Sequence, residues 1–188
     1  KVGTDAVLLG AWAEVGEGAK VLEIGCGCGV ISMMLAQRFN CSVTAIDIDK
    51  PSVNEANMNF DNVDLECVPK ALVADIREYT PCQRFDVIVS NPPYVRECEK
   101  VDMEANVLDY DPHTALFVSD NDPLIFYRAI AELGMRCLSP RGSLYFEINR
   151  AYGAETCNML RELGFVDVEL RQDFYGNDRM VRALKAQG

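Results

Sequence analysis

From Lys20 to Ile148 the chain alternates short apolar, β-branched runs with longer stretches whose apolar residues recur every three or four positions. That alternation admits few folds. A strand buried on both faces reads as a continuous run of Val, Ile and Leu, whereas a covering helix shows an apolar stripe. KVLEI (20–24), SVTAIDI (42–48), RFDVIVS (84–90) and GSLYFEI (142–148) are of the first kind, and a further strand is expected within 64–74. Helices are expected over 5–13 with Thr4 or Asp5 as cap, over 29–39, after Asp49 with Pro51 in the first turn, over 123–138 and over 151–163. Strands alternating with helices imply right-handed crossovers and a parallel sheet covered on both faces. FVDVELRQD (165–173) and DRMVRALK (178–185) have no helix between them and are expected to pair antiparallel. The expected fold class is therefore α/β, a doubly wound, mostly parallel seven-stranded sheet with an antiparallel last strand, in one domain spanning 1–188.

Bulk properties narrow the function classes. A net charge of −11 opposes broad, sequence-independent nucleic-acid binding, which needs cations to neutralise phosphates. No apolar run is long enough to span a bilayer, and no signal-peptide pattern opens the chain, so no membrane partner is expected. The eight cysteines sit mostly inside apolar strand-like or helix-like segments, as expected of buried thiols in a reduced, cytoplasmic protein. Cys26 and Cys28 have no second cysteine pair to complete a metal set, and the single histidine, His113, is distant in sequence; no metal site is expected.

The chemistry is expected where strands end, because a doubly wound sheet binds ligands at its carboxyl edge. EIGCGCG (23–29) follows the first strand, with Gly25, Gly27 and Gly29 allowing a tight turn and close backbone approach to a ligand. A dinucleotide fingerprint needs glycine at position 30, where Val30 stands, so the loop is not a pyrophosphate cradle. Asp47 ends the second strand, 18 residues past Gly29, where a carboxylate can accept both hydroxyls of a ribose. Asp49 suits a helix cap instead. In ADI (74–76), Asp75 is placed to accept from an adenine amino group while Ile76 packs on the ring. After the fourth strand comes Asn91-Pro92-Pro93-Tyr94, a stiff corner presenting an amide, bare carbonyls and an aromatic ring.

Together these motifs resemble the class I S-adenosylmethionine-dependent methyltransferases, and N-P-P-Y resembles the subset that methylates planar nitrogen. The resemblance implies S-adenosylmethionine as cofactor. It assigns cofactor contacts to Glu23, Gly25, Cys26, Gly27, Cys28, Gly29, Asp47, Ile48, Asp75, Ile76 and Asn91. Cys26 and Cys28 replace the usual small residues, which is tolerable where the backbone meets the ligand. Asn91, Pro92, Pro93 and Tyr94 become the catalytic corner. The Asn91 amide oxygen and the Pro92 carbonyl accept the N–H bonds of the reacting nitrogen, and Tyr94 sandwiches the planar group. Bonds that strengthen as positive charge develops stabilise the transition state, so no strong base is required; His113 is read as a loop residue.

The acceptor is read from two further resemblances. KVGTDAVLLGAWA (1–13) resembles the start of the tRNA(Val) adenine-N6 methyltransferases, implying that Thr4 and Asp5 lie over the cofactor. NPPYVRE, NVLDYDPHTALFV, DPLIFYRAI, FEI and DFYGNDRMV resemble, in order and spacing, the HemK/PrmC family of release factor glutamine-N5 methyltransferases. The segment after Asn91 shapes the acceptor pocket, so a peptide-chain release factor is the expected substrate and tRNA the alternative. No counterpart of that family's N-terminal helical docking domain is expected in this chain. A monomer is expected, and a nucleotide-binding domain without catalysis is the reading from another class.

Overall fold

A computed structural model describes residues 3–92, 95–96, 117–118 and 122–187. The elements run α1 (Thr4–Trp12), β1 (Lys20–Ile24), α2 (Val30–Phe39), β2 (Ser42–Asp47), α3 (Lys50–Asp61), β3 (Lys70–Val73) and β4 (Phe85–Ser90). The two-residue strands β5 (Val95–Arg96) and β6 (Phe117–Val118) form a separate parallel ladder. Then come α4 (Ile125–Cys137), β7 (Leu138–Glu147), α5 (Gly153–Glu162), β8 (Phe165–Gln172) and β9 (Asp178–Lys185). Pro93, Tyr94 and His113 lie outside the described residues.

The main sheet has the order β3-β2-β1-β4-β7-β9-β8. Strands β3, β2, β1, β4 and β7 are mutually parallel, and β9 slots antiparallel between β7 and β8. Side chains alternate between two cores, as the period of a pleated strand requires. Val21, Val43, Val87, Val89 and Tyr145 pack under α1 and α2. Leu22, Ile24, Ile88, Leu144 and Phe146 pack under α4 and α5. α3 covers Ala45 and Ala71 through Val53, Ala56 and Phe60. On the edge strand β3, α3 takes up the backbone of Ala71, where the Asn57 amide both donates and accepts, at 3.0 Å each.

Element boundaries differ from expectation where local chemistry decides them. Neither Thr4 nor Asp5 caps α1: the N-cap is Gly3, with no side-chain bond, so the helix begins at Thr4 and places Asp5 in its first turn, where a carboxylate favours the helix dipole. Gly29 is the cap of α2 rather than its first residue. Asp49 does cap α3, accepting from the Ser52 N–H at 2.9 Å. β7 begins at Leu138, directly after α4, rather than at Gly142: Phe85 pairs with Leu138, then the register shifts so that Val87 pairs with Ser143. Arg141, at φ 62°, turns the extra residues out. The last helix starts at Gly153, preceded by a 3-10 turn over Arg150–Tyr152.

Candidate functional site

Parallel register sets the site. Ile24 pairs with both Ile46 and Ser90, Asp47 with Val73, and Ser90 with Phe146, so the residues that follow all emerge along one edge. β1 is where strand order reverses, with β2 on one side and β4 on the other. The loops after β1 and β4 therefore diverge and leave a crevice between them. The structure brings Gly25 and Asn91 together there: the Asn91 carbonyl lies 4.0 Å from where a Cβ on Gly25 would be.

The glycine loop is held from three sides. Gly25 and Cys26 N–H groups donate to the Ile46 carbonyl at 2.8 and 3.2 Å. One Asp47 oxygen accepts from Gly27 N–H and the other from Asp49 N–H, both at 2.9 Å. Asn59 of α3 donates to the Cys28 carbonyl at 2.9 Å. Gly27 has φ 51° and nothing within 4 Å of an added Cβ, so the loop leaves open space on its outer side. Gly29 has another reason to be glycine: at φ 82° a Cβ would overlap the Phe60 ring and stand 3.2 Å from Ala56. Gly27 serves the crevice, and Gly29 serves the packing of α2 on α3.

Glu23 lies under the loop, fully buried on β1. One of its oxygens accepts from both the backbone N–H, at 3.0 Å, and the hydroxyl of Ser32 in the first turn of α2. Burial pushes this carboxyl up to about 8; the Ser32 hydrogen bonds oppose that rise and the charge of Asp47 adds to it. The group is thus a protonated strut between β1 and α2. Cys26 is buried among Ala45, Val53 and Phe60 rather than facing the crevice. Its thiol is raised well above the ordinary range by burial, then by Glu23 and Asp47. Cys28 is half-buried in the same loop.

The remaining predicted residues are placed unevenly. Asp47 sits at the edge with its carboxylate already bonded to the loop, and each oxygen keeps a further lone pair for a ligand hydroxyl. Ile48, next along, is 59% exposed, an apolar surface beside the crevice. Asp75 bonds the Arg77 guanidinium and backbone N–H, which hold its carboxyl down to about 2. Ile76 packs against the core under α4 and α5. Asn91 is half-buried and Pro92 buried. Thr4 and Asp5 reach the same edge indirectly. Gly10 lies against Met34, and the Gly10 and Ala13 carbonyls accept from Arg38, so α1 runs beside α2 in the same direction with its N-terminus level with the loop. Ser32 and Asn59, which fix the loop, carried no sequence signal: a serine and an asparagine inside amphipathic helices look like surface residues until the sheet brings Glu23 and Cys28 beside them.

The residues present fit S-adenosylmethionine. The open side of Gly27 admits close approach, Asp47 offers acceptors for a ribose, and Ile48 offers an apolar wall for a base. Among the described residues no group of three metal-ligating side chains stands together, and no helix is long and apolar enough to cross a membrane.

A family model described as methyltransferase small domain matches residues 3–109. A release factor glutamine methyltransferase of Flavobacterium psychrophilum is 46% identical over 168 residues, 87% of this chain and 57% of that protein. A tRNA1(Val) (adenine(37)-N6)-methyltransferase of Phocaeicola vulgatus is 45% identical over 106 residues, 53% of this chain and 43% of that protein. A crystal structure of a methyltransferase from Pyrococcus furiosus superposes with a TM-score of 0.73 at 20% identity, covering 99% of this chain and 85% of that one. The fold is that of the class I methyltransferases. The chain spans 57%, 59% and 62% of the length of three release factor glutamine methyltransferases that it matches.

Proposed function

The chain belongs to the methyltransferase small domain family, and we propose that it is an S-adenosylmethionine-dependent N-methyltransferase acting on the glutamine side-chain amide of a peptide-chain release factor. The observation that carries this reading is the Asn91-Pro92 corner at the end of β4, facing Gly25 across the crevice. S-adenosylmethionine, when bound, supplies a methyl group made electrophilic by its sulfonium sulfur.

The chain's residues would divide the work. Gly25, Gly27 and the Cys26 and Cys28 backbone hold the cofactor's amino-acid end close. Asp47 accepts from the ribose hydroxyls, and Ile48 covers the adenine. In this arrangement Arg77 takes up both Asp75 oxygens and Ile76 packs on the core, so base recognition by Asp75 would require the Arg77 contacts to give way. Thr4 and Asp5 close over the cofactor from α1. The Asn91 side-chain oxygen and the Pro92 carbonyl accept the two N–H bonds of the acceptor amide, and Tyr94 stacks on its plane. An amide nitrogen is a poor nucleophile because its lone pair is delocalised. Acceptors that hold its hydrogens bind more tightly as the nitrogen becomes positive, and so favour the transition state over the ground state. Holding nitrogen and methyl in line supplies the remainder.

The release factor relatives, matched over most of this chain, support glutamine as the acceptor. The tRNA relative supports adenine as the second reading, with the same corner holding an exocyclic amino group. Tritiated cofactor offered with release factor and with unmodified tRNA separates them. The expected result is label on the Gly-Gly-Gln glutamine, reduced about a hundredfold by Asn91→Ala, with cofactor affinity retained. Label in tRNA and none in the release factor would replace glutamine by adenine.

A further inference from the structure

Resting on the glutamine reading, we propose that the β8–β9 turn and the groove behind it dock the polypeptide that carries the acceptor glutamine. The turn belongs to the catalytic edge. Glu147, which ends β7, pairs with Met180, and Ile148 N–H donates to the Arg179 carbonyl at 2.8 Å, so residues 173–177 project beyond the same edge as Asn91. β9 lies two strands from β4, on the order of 10 Å away.

The tip is a rigid mount for two aromatic rings. Asp173 accepts from Tyr175 N–H at 2.8 Å and Asn177 N–H at 3.0 Å, bonds that hold its carboxyl below the usual range. Its other oxygen takes the Arg179 guanidinium, which also reaches the fully buried Glu147. On this braced turn Phe174 and Tyr175 are 89% and 91% exposed. Adjacent rings held almost wholly in water on a fixed support suit a partner that covers them.

Behind Phe174 a groove of about 410 Å³ runs between the hairpin and α1, floored by Leu8, Trp12 and Met180. Both walls rise to the catalytic edge, since α1 points its N-terminus there. Charge selects the occupant. Residues 173–177 include no lysine or arginine. The two groove cations are engaged, Arg38 by the Gly10 and Ala13 carbonyls and Arg171 over the Trp12 ring at 5.5 Å. In a chain of net charge −11, an aromatic turn whose own residues carry no cation suits apolar side chains of a protein rather than a phosphate backbone.

The test is a double variant, Phe174→Ser with Tyr175→Ser, whose exposed positions leave the fold intact, checked by calorimetry of cofactor binding. The expected result is a KM for release factor raised about tenfold or more, with kcat and cofactor affinity unchanged. A photoreactive benzophenone side chain at position 174 is expected to crosslink release factor in the presence of competing tRNA. An unchanged KM, or a crosslink to tRNA, overturns the proposal. Wild-type protein run alongside separates the two levels: if it labels tRNA alone, the glutamine reading fails and this surface loses its occupant, whereas wild-type labelling of release factor with an unchanged variant KM rejects the surface alone.

Discussion

Glu23→Gln tests the protonated strut beneath the glycine loop. With its carboxyl raised to about 8 from 4.5, Glu23 binds a proton in the folded chain over a range where the unfolded chain has released it. Its contribution to stability is complete below pH 4.5 and is lost as the pH rises through 8. Each pH unit within that window removes about 1.4 kcal/mol, so the whole window is worth about 5 kcal/mol, a large share of a typical folding free energy. Glutamine is nearly isosteric, keeps an oxygen for the Ser32 N–H and hydroxyl, and does not titrate. The difference in unfolding free energy, variant minus wild type, is therefore expected to climb with pH between 4.5 and 8 and to be flat outside it. Urea unfolding at half-unit pH steps measures it, and subtracting wild type cancels every other titrating group. Near pH 5 the two proteins should differ by no more than about 1 kcal/mol, the scale of one neutral hydrogen bond. Parallel curves across the window would mean that Glu23 ionises normally, through water reaching β1, and would refute the strut.

Gly29→Ala combines a left-handed backbone position with a clash against Phe60, and is expected to cost about 2–5 kcal/mol in thermal or urea unfolding; wild-type stability would show that α3 yields freely. Asp47→Ala removes both the acceptors offered to the ribose and the tether on Gly27, so calorimetry should show cofactor affinity weakened at least about tenfold, and unchanged affinity would remove Asp47 from the site. Cys26→Ala combined with Cys28→Thr is expected to leave turnover within about threefold, because the Cys26 thiol is buried, protonated and turned into the core; a loss of a hundredfold would give the thiols a role in the reaction.

What was legible in the sequence follows from which interactions are local. The central strands announced themselves because burial on both faces leaves few polar positions: β1 is KVLEI with only Lys20 exposed, and β4 is FDVIVS with only Asp86 exposed. Asp49 as a cap was equally readable, since a cap and its partner Ser52 lie within four residues. Glycines at 25, 27 and 29 marked the loop, but not that Gly29 answers to Phe60, 31 residues on. Glu23 shows the limit most sharply. In sequence it is one acidic residue in a motif, ordinarily ionised. Its protonation comes from being enclosed by β2, β4 and α2 at once, which no window of neighbours contains. The same holds for the hairpin. Its two strands were expected to pair, yet β9 lying against β7, which carries the Phe174-Tyr175 tip to the edge where Asn91 lies, joins residues far apart in sequence, as at the Glu147–Arg179 contact across 32 residues. Local pattern thus sufficed to mark the glycine loop and the Asn91-Pro92 corner as candidates, because both are built from consecutive residues at strand ends. The electrostatics of the first and the surroundings of the second arise only from long-range assembly, which is why Glu23 and the hairpin are where experiment has most to decide.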